Sequence, residues 1–98
     1  MARPVSRMDR TMRDGSDLSV LRADSVLDTV GLYCPIPIIK TAERMKELRP
    51  GSILEILSDD RVILIDMADW CRSTRHQYLG SRRDGDAYHL FVRKPGKP

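Results

Sequence analysis

The sequence predicts a small α/β (α+β) two-layer sandwich in the order β-α-β-α-β-β, with two helices on one face of a four-stranded mixed sheet. Three observations carry this. The run "SILEIL" at 52–57 alternates as a strand should. Ile38, Ala42, Met45 and Leu48 recur at helical spacing, with Lys40, Glu43, Arg44, Lys46 and Glu47 filling the opposite face. The C-terminal third reads as two strand-like runs around "RRDGD".

The elements follow in order. "SVLDTV", from Ser25 to Val30, is short and β-branched, and a turn at Gly31 stops it, so it is expected as the first strand. Pro35 is expected at the first helical position, where its missing N–H is no loss. "RPG" at 49–51 ends that helix, since Pro50 cannot continue it and Gly51 permits a turn.

"SDDRVILIDMADWCRST" has two readings: "VILI" suits a strand, but Ile63, Met67, Trp70, Cys71 and Thr74 share a helical stripe. The helix is preferred, with Ser58, Asp59 or Asp60 placed to cap it. "HQYLGS" and "AYHLFVR" then pair as a hairpin turning at Asp84-Gly85. The second face of the sheet is expected to stay partly open to solvent.

Residues 1–24 alternate Arg and Asp with few large apolar side chains, which reads as a flexible leader. Four aspartates by position 24 argue against an organelle transit peptide. Residues 25–94 form the single domain expected of a 98-residue chain, and 95–98 are a loop-like tail.

Composition narrows the function. The net charge of +3 is spread along the chain among acidic residues, and the five aromatic residues make a thin supply for base stacking. Nucleic-acid binders usually concentrate their positive charge. Neither a signal peptide nor a stretch approaching the roughly 18 apolar residues of a membrane span is present. The expectation is a cytoplasmic, reducing setting in which Cys34 and Cys71 stay free thiols. Neither cysteine is spaced with His76 or His89 as a zinc set, and the sequence carries no nucleotide-binding glycine pattern, so no metal or cofactor is expected.

Cys34 is the residue that asks for chemistry. In "GLYCPIPIIK" it sits between Gly31 and two prolines, Pro35 and Pro37, that build a turn into a helix. That places it at or next to the N-cap, where unpaired N–H groups and the helix dipole favour a negative charge. A thiolate is the nucleophilic form of cysteine, and a helix N-terminus lowers its pKa from about 8.5. The expectation is therefore a presented, acidified thiol. Cys71, on the stripe beside Trp70, is expected as buried packing; as a second, resolving thiol it would have to approach Cys34.

"LDTVGLYCPIP" resembles the signature of the TusA-like (SirA-like) sulfur-carrier family, L-D-x-x-G-x-x-C-P-x-P, matched here by Leu27, Asp28, Gly31, Cys34, Pro35 and Pro37. The likeness extends through "RPGSILEILSDD", the Asp66 and Trp70 positions, "RHQYL" and "YHLFVRK", covering roughly residues 25 to 94. The chain departs from the family at Asp59-Asp60, where Asp-Pro is common, and at Arg75, where Gly is common.

The resemblance implies the same sandwich and a sulfane sulfur carried as a persulfide on Cys34. It implies a cysteine desulfurase or rhodanese-type donor and a relay-protein acceptor, in some members on the way to tRNA thiolation. Other members serve sulfur oxidation or molybdenum-cofactor maturation. Asp28 and Gly31 would shape the loop, and Pro35 and Pro37 would orient the thiol.

Outside the motif, Lys40 and Arg44 read as a solvated charged face or a greeting surface for an acidic partner. His76 and His89 read as strand-edge residues. Two other readings stand beside the carrier. One is a regulatory or nucleic-acid-binding module using Arg72, Arg75, Arg82, Arg83, Arg93 and Lys94. The other is a structural domain with an inert cysteine.

Overall fold

The computed structural model describes residues 22–96, so the leader predicted over 1–24 lies almost wholly outside the described residues. The observed elements are β1 (Ser25–Asp28), α1 (Ile36–Glu47), β2 (Ile53–Ser58), α2 (Ile63–Thr74), β3 (Gln77–Asp84) and β4 (Ala87–Arg93). The sheet order is β1-β2-β4-β3. β1 runs parallel to β2, while β2–β4 and β4–β3 are antiparallel. The predicted class and element order are those observed, and α2 resolves the ambiguous segment as a helix.

The core lies between sheet and helices. Leu27, Leu54, Ile56, Leu90 and Val92 from the strands meet Met45 of α1 and Ile63, Met67 and Cys71 of α2. Period-2 alternation aims Leu54 and Ile56 at the helices and Ile53 and Glu55 at the other face. That second face is mixed: Ile53 and Phe91 are buried, Val26 is exposed, and the half-buried His89 bonds Glu55 Oε2 through Nδ1 at 2.5 Å.

Several local expectations shift. In α1 the buried residues are Pro37, Thr41 and Met45, while Ile38, Ala42 and Leu48 are half-buried. The buried stripe is thus turned toward Pro37, and Thr41 satisfies its hydroxyl by donating to the Pro37 carbonyl at 2.8 Å. The hairpin turns on Gly85-Asp86, one residue later than predicted, because Asp84 pairs with Ala87. A register irregularity between Tyr78 and Gly80 interrupts β3. Arg44 is half-buried, and its guanidinium donates to Ser25 Oγ at 2.7 Å and the Val26 carbonyl at 3.2 Å, tying α1 to the edge strand.

α2 ends at Arg75, whose φ of 64° is left-handed. His76 N–H then bonds the Cys71 carbonyl at 2.9 Å. The half-buried His76 ring stacks on Trp70 at 4.5 Å, and burial, with a smaller contribution from Lys94, holds its pKa below the ordinary histidine value, although a hydrogen bond to the Thr74 backbone acts the other way.

Left-handed backbone strains any residue with a Cβ and not glycine. Arg75→Gly should therefore raise unfolding stability by about 1 kcal/mol, read as a higher urea midpoint at unchanged slope. Leu54 is fully buried, so Leu54→Ala should cost about 2–5 kcal/mol in the same assay.

Candidate functional site

The site forms where the β1 and β2 ends meet the starts of both helices. After β1, Asp28 Oδ1 accepts the Val30 N–H at 2.9 Å, an Asx turn that starts the loop. Gly31 continues it at φ 89°, a conformation that a side chain would strain. Its N–H donates to Asp59 Oδ1 at 3.0 Å. The loop is thereby fastened to the chain leaving β2.

Cys34 follows. Its own N–H donates to Asp60 Oδ2 at 3.2 Å, while Asp60 Oδ1 accepts the Val62 N–H at 3.1 Å. One carboxylate thus holds the cysteine backbone and the entry to α2. The Cys34–Pro35 peptide is cis. Pro35 stands at the N-cap of α1 and Pro37 at the second helical position, so the prediction of Pro35 inside the first turn is corrected by one residue. Cys34 sits just before the N-cap, half-buried, its side chain resting on the edge of the core. α2 is capped by no side chain; its N-cap is Val62, two residues past Asp60.

The electrostatics reverse the sequence expectation of an acidified thiol. Burial first, then the Asp66 carboxylate, then Asp60, push the Cys34 thiol up from 9.0 to about 11. Burial alone pushes the Cys71 thiol to about 11 as well. Asp60 and Asp66 are the site residues that sequence reading missed. Sequence reading gives Asp60 only as a helix cap and as part of the Asp59-Asp60 departure from the family pattern, and Asp66 only as one position of the family likeness. The usable signal is that Asp66 falls in the first turn of α2, six residues past Asp60.

Of the other predicted residues, Cys71 is buried in the core as a free thiol. Lys40 stays exposed and lines, with Leu27, Glu43, Arg44 and Glu47, a cleft of about 230 Å³ between α1 and β1 whose charges are mixed. The basic residues of the nucleic-acid reading are partly spent locally. Arg72 pairs with Asp69 at 3.2 Å, Arg83 bonds the Gly85 carbonyl at 3.0 Å, and Lys94 bonds the Leu48 carbonyl at 2.6 Å. Among the described residues no group of three or more His, Cys, Asp or Glu is arranged to hold a metal ion, and no helix is long and apolar enough to cross a membrane.

A family model described as "Sulfurtransferase TusA" matches residues 25–94. The chain is 44% identical over 78 residues to the "Putative sulfur carrier protein YrkF" of Bacillus subtilis (strain 168), spanning 80% of this chain and 42% of that one. It therefore covers less than half the length of that relative. It is 36% identical over 74 residues to the "Putative sulfur carrier protein YrkI" of the same organism, covering 76% of this chain and 99% of the relative. Among solved structures, a SirA-like protein from Desulfitobacterium hafniense superposes with a TM-score of 0.65 at 19% identity, over 72% of this chain and 97% of the other. That likeness shows the fold.

A raised thiol pKa makes the thiolate a small minority at neutral pH. Alkylation of Cys34 by iodoacetamide should therefore climb about tenfold per pH unit and level off near 11, while a peptide thiol levels off near 9.0. Because the folded-state value is the higher one, the stability it contributes is complete below 9 and lost as pH rises through 11, so the thermal midpoint should fall across that window. Cys71 should stay unmodified until the domain unfolds.

Proposed function

Because the chain belongs to the TusA sulfurtransferase family, we propose that it is a sulfur-relay protein: Cys34 carries a sulfane sulfur as a persulfide and passes it between a donor and an acceptor protein. The observation that supports this best is the position of Cys34 itself. It stands at the mouth of a loop fixed by Asp28, Gly31, Asp59 and Asp60, just before the N-cap of α1, in a half-buried position. Pro35 and Pro37 stiffen the helix entry behind it.

The transfer needs no outside oxidant. A cysteine desulfurase or rhodanese-type donor presents a protein persulfide. Cys34 loses its proton, and Sγ attacks the outer sulfur. The new S–S bond forms as the donor's S–S bond breaks, and the donor sulfur leaves as a thiolate that takes up a proton. The product is a reversible cysteine modification. The second transfer repeats the exchange with a relay-protein acceptor attacking the sulfur held by Cys34.

On this reading the protein works in the cytoplasm without metal or cofactor, and one destination of its sulfur is tRNA thiolation. Cys71 takes no part, since its side chain is enclosed by the core.

Incubation with a cysteine desulfurase and free cysteine, or with a rhodanese and thiosulfate, should add sulfur to the intact mass, removable by reductant. The addition should persist in Cys71→Ser and vanish in Cys34→Ser while the latter keeps its circular dichroism spectrum. Sulfur retained by Cys34→Ser would overturn the assignment.

A further inference from the structure

The sequence scatters its cations, and the fold sorts them. Arg93 lies opposite Ile53 on one side and Gln77 on the other. The starts of β2 and β3 and the end of β4 therefore share one end of the sheet, away from Cys34. Both helices finish there. Lys94 ties the exit of α1 to this end, donating its N–H to the Ser52 carbonyl at 2.8 Å and its ammonium to the Leu48 carbonyl at 2.6 Å. α2 passes through Arg75 almost directly into β3.

Six cations gather as a result: Lys46 and Arg49 from the end of α1, Arg72 and Arg75 from the end of α2, Arg93 and Lys94 from the end of β4. The first four are exposed and the last two half-buried. Against them stand the carboxylates of Asp24, Glu47 and Asp69. The Asp69–Arg72 pair at 3.2 Å is exposed on both sides, so it is weak and open to exchange for another anion. Arg82 and Arg83, grouped with these residues by sequence, lie instead toward the hairpin turn at the other end, beside Asp84 and Asp86. Helix C-termini attract cations, and Lys94 serves α1 in that way; the remaining five exceed what two helix ends need.

The same end lacks the anchors of a protein interface. The large apolar side chains exposed among the described residues run from Val26 to Ile39 and from Val62 to Ile65. None lies in the segments that carry these cations. Trp70 and Tyr78 are half-buried, and His76 covers one face of Trp70, so no ring is offered for an unpaired base to stack on. Clustered cations without apolar anchors or a stacking ring match a phosphate backbone.

We propose that the end of the domain opposite Cys34 binds the phosphate backbone of a nucleic-acid duplex through Lys46, Arg49, Arg72, Arg75, Arg93 and Lys94. The contact reads charge and spacing of phosphates, not base sequence. Cys34 takes no part in it, so Cys34→Ser is expected to bind as tightly as the wild type.

The test is fluorescence anisotropy of the full chain with labelled DNA and RNA duplexes of one sequence, about 20 base pairs long, at low salt. Both carry the required phosphates; binding of either supports the proposal and binding of neither overturns it. With about four phosphates engaged, affinity should fall roughly a hundredfold between about 50 and 200 mM salt. Two double variants remove equal charge from exposed positions at opposite ends. Arg49→Gln with Arg75→Asn, the latter suited to left-handed backbone, should weaken binding by about tenfold or more and reduce the salt slope by about two. Arg61→Gln with Arg82→Gln should leave both nearly unchanged. Equal losses in the two variants, or none in the first, would overturn the proposal, the second result moving the binding to the arginines of residues 1–21. Competition by polyglutamate as effective as by unlabelled duplex at equal charge would also overturn it, in favour of an acidic protein.

Discussion

The site depends on the parallel register of β1 on β2. Leu27 lies opposite Ile56 and Asp28 opposite Leu57, and Thr29 extends the pairing by donating both its N–H and its hydroxyl to the Leu57 carbonyl, at 2.8 and 2.5 Å. Parallel strands deliver their C-terminal ends to one edge of the sheet. The chain leaving β1 therefore emerges beside the chain leaving β2, and each goes on into a helix. Asp59 and Asp60 can then reach Gly31 and Cys34, which lie 28 and 26 residues away in sequence. A slip of one residue would turn Leu27 out of the core and carry the cysteine loop away from both aspartates.

The same geometry sets up a contest of charges at the sulfur. α1 begins right after Cys34, and its N-terminus carries the equivalent of about half a positive charge. Against it stand partial burial and two full carboxylate charges. Desolvation together with whole charges outweighs half a charge, and the thiol ends up weaker as an acid than in a free peptide. Presentation and activation, which a sequence reader naturally joins in one residue, are separate properties here.

That separation explains what was legible. The strands and helices were readable because each carries its own periodicity: "SILEIL" alternates, and Ile63, Met67 and Cys71 repeat every four residues. Cys34 was readable because prolines and a glycine punctuate the chain around it. What failed to show was anything made by tertiary contact. The carboxylates at the thiol come from the far side of β2, and no local pattern announces that two aspartates will fold back onto a cysteine. Arg44 looked like one more charge on a solvated face until β1 was laid beside it. The left-handed Arg75 is visible in sequence only as a departure from the pattern the resemblance leads one to expect; the structure gives it physical meaning.

On the carrier reading, a thiol that resists ionisation is an advantage, and distance is the reason. In the empty protein a negative charge would sit on Sγ, where the Asp66 and Asp60 carboxylates oppose it. In the loaded protein the charge moves to the outer sulfur, one S–S bond of about 2 Å further out. Repulsion falls with separation and with access to water, so the carboxylates oppose the resting thiolate more strongly than the persulfide anion. The empty carrier is thus held as an unreactive thiol that ignores stray electrophiles. The loaded one keeps its charge exposed at the tip, where an acceptor can reach it.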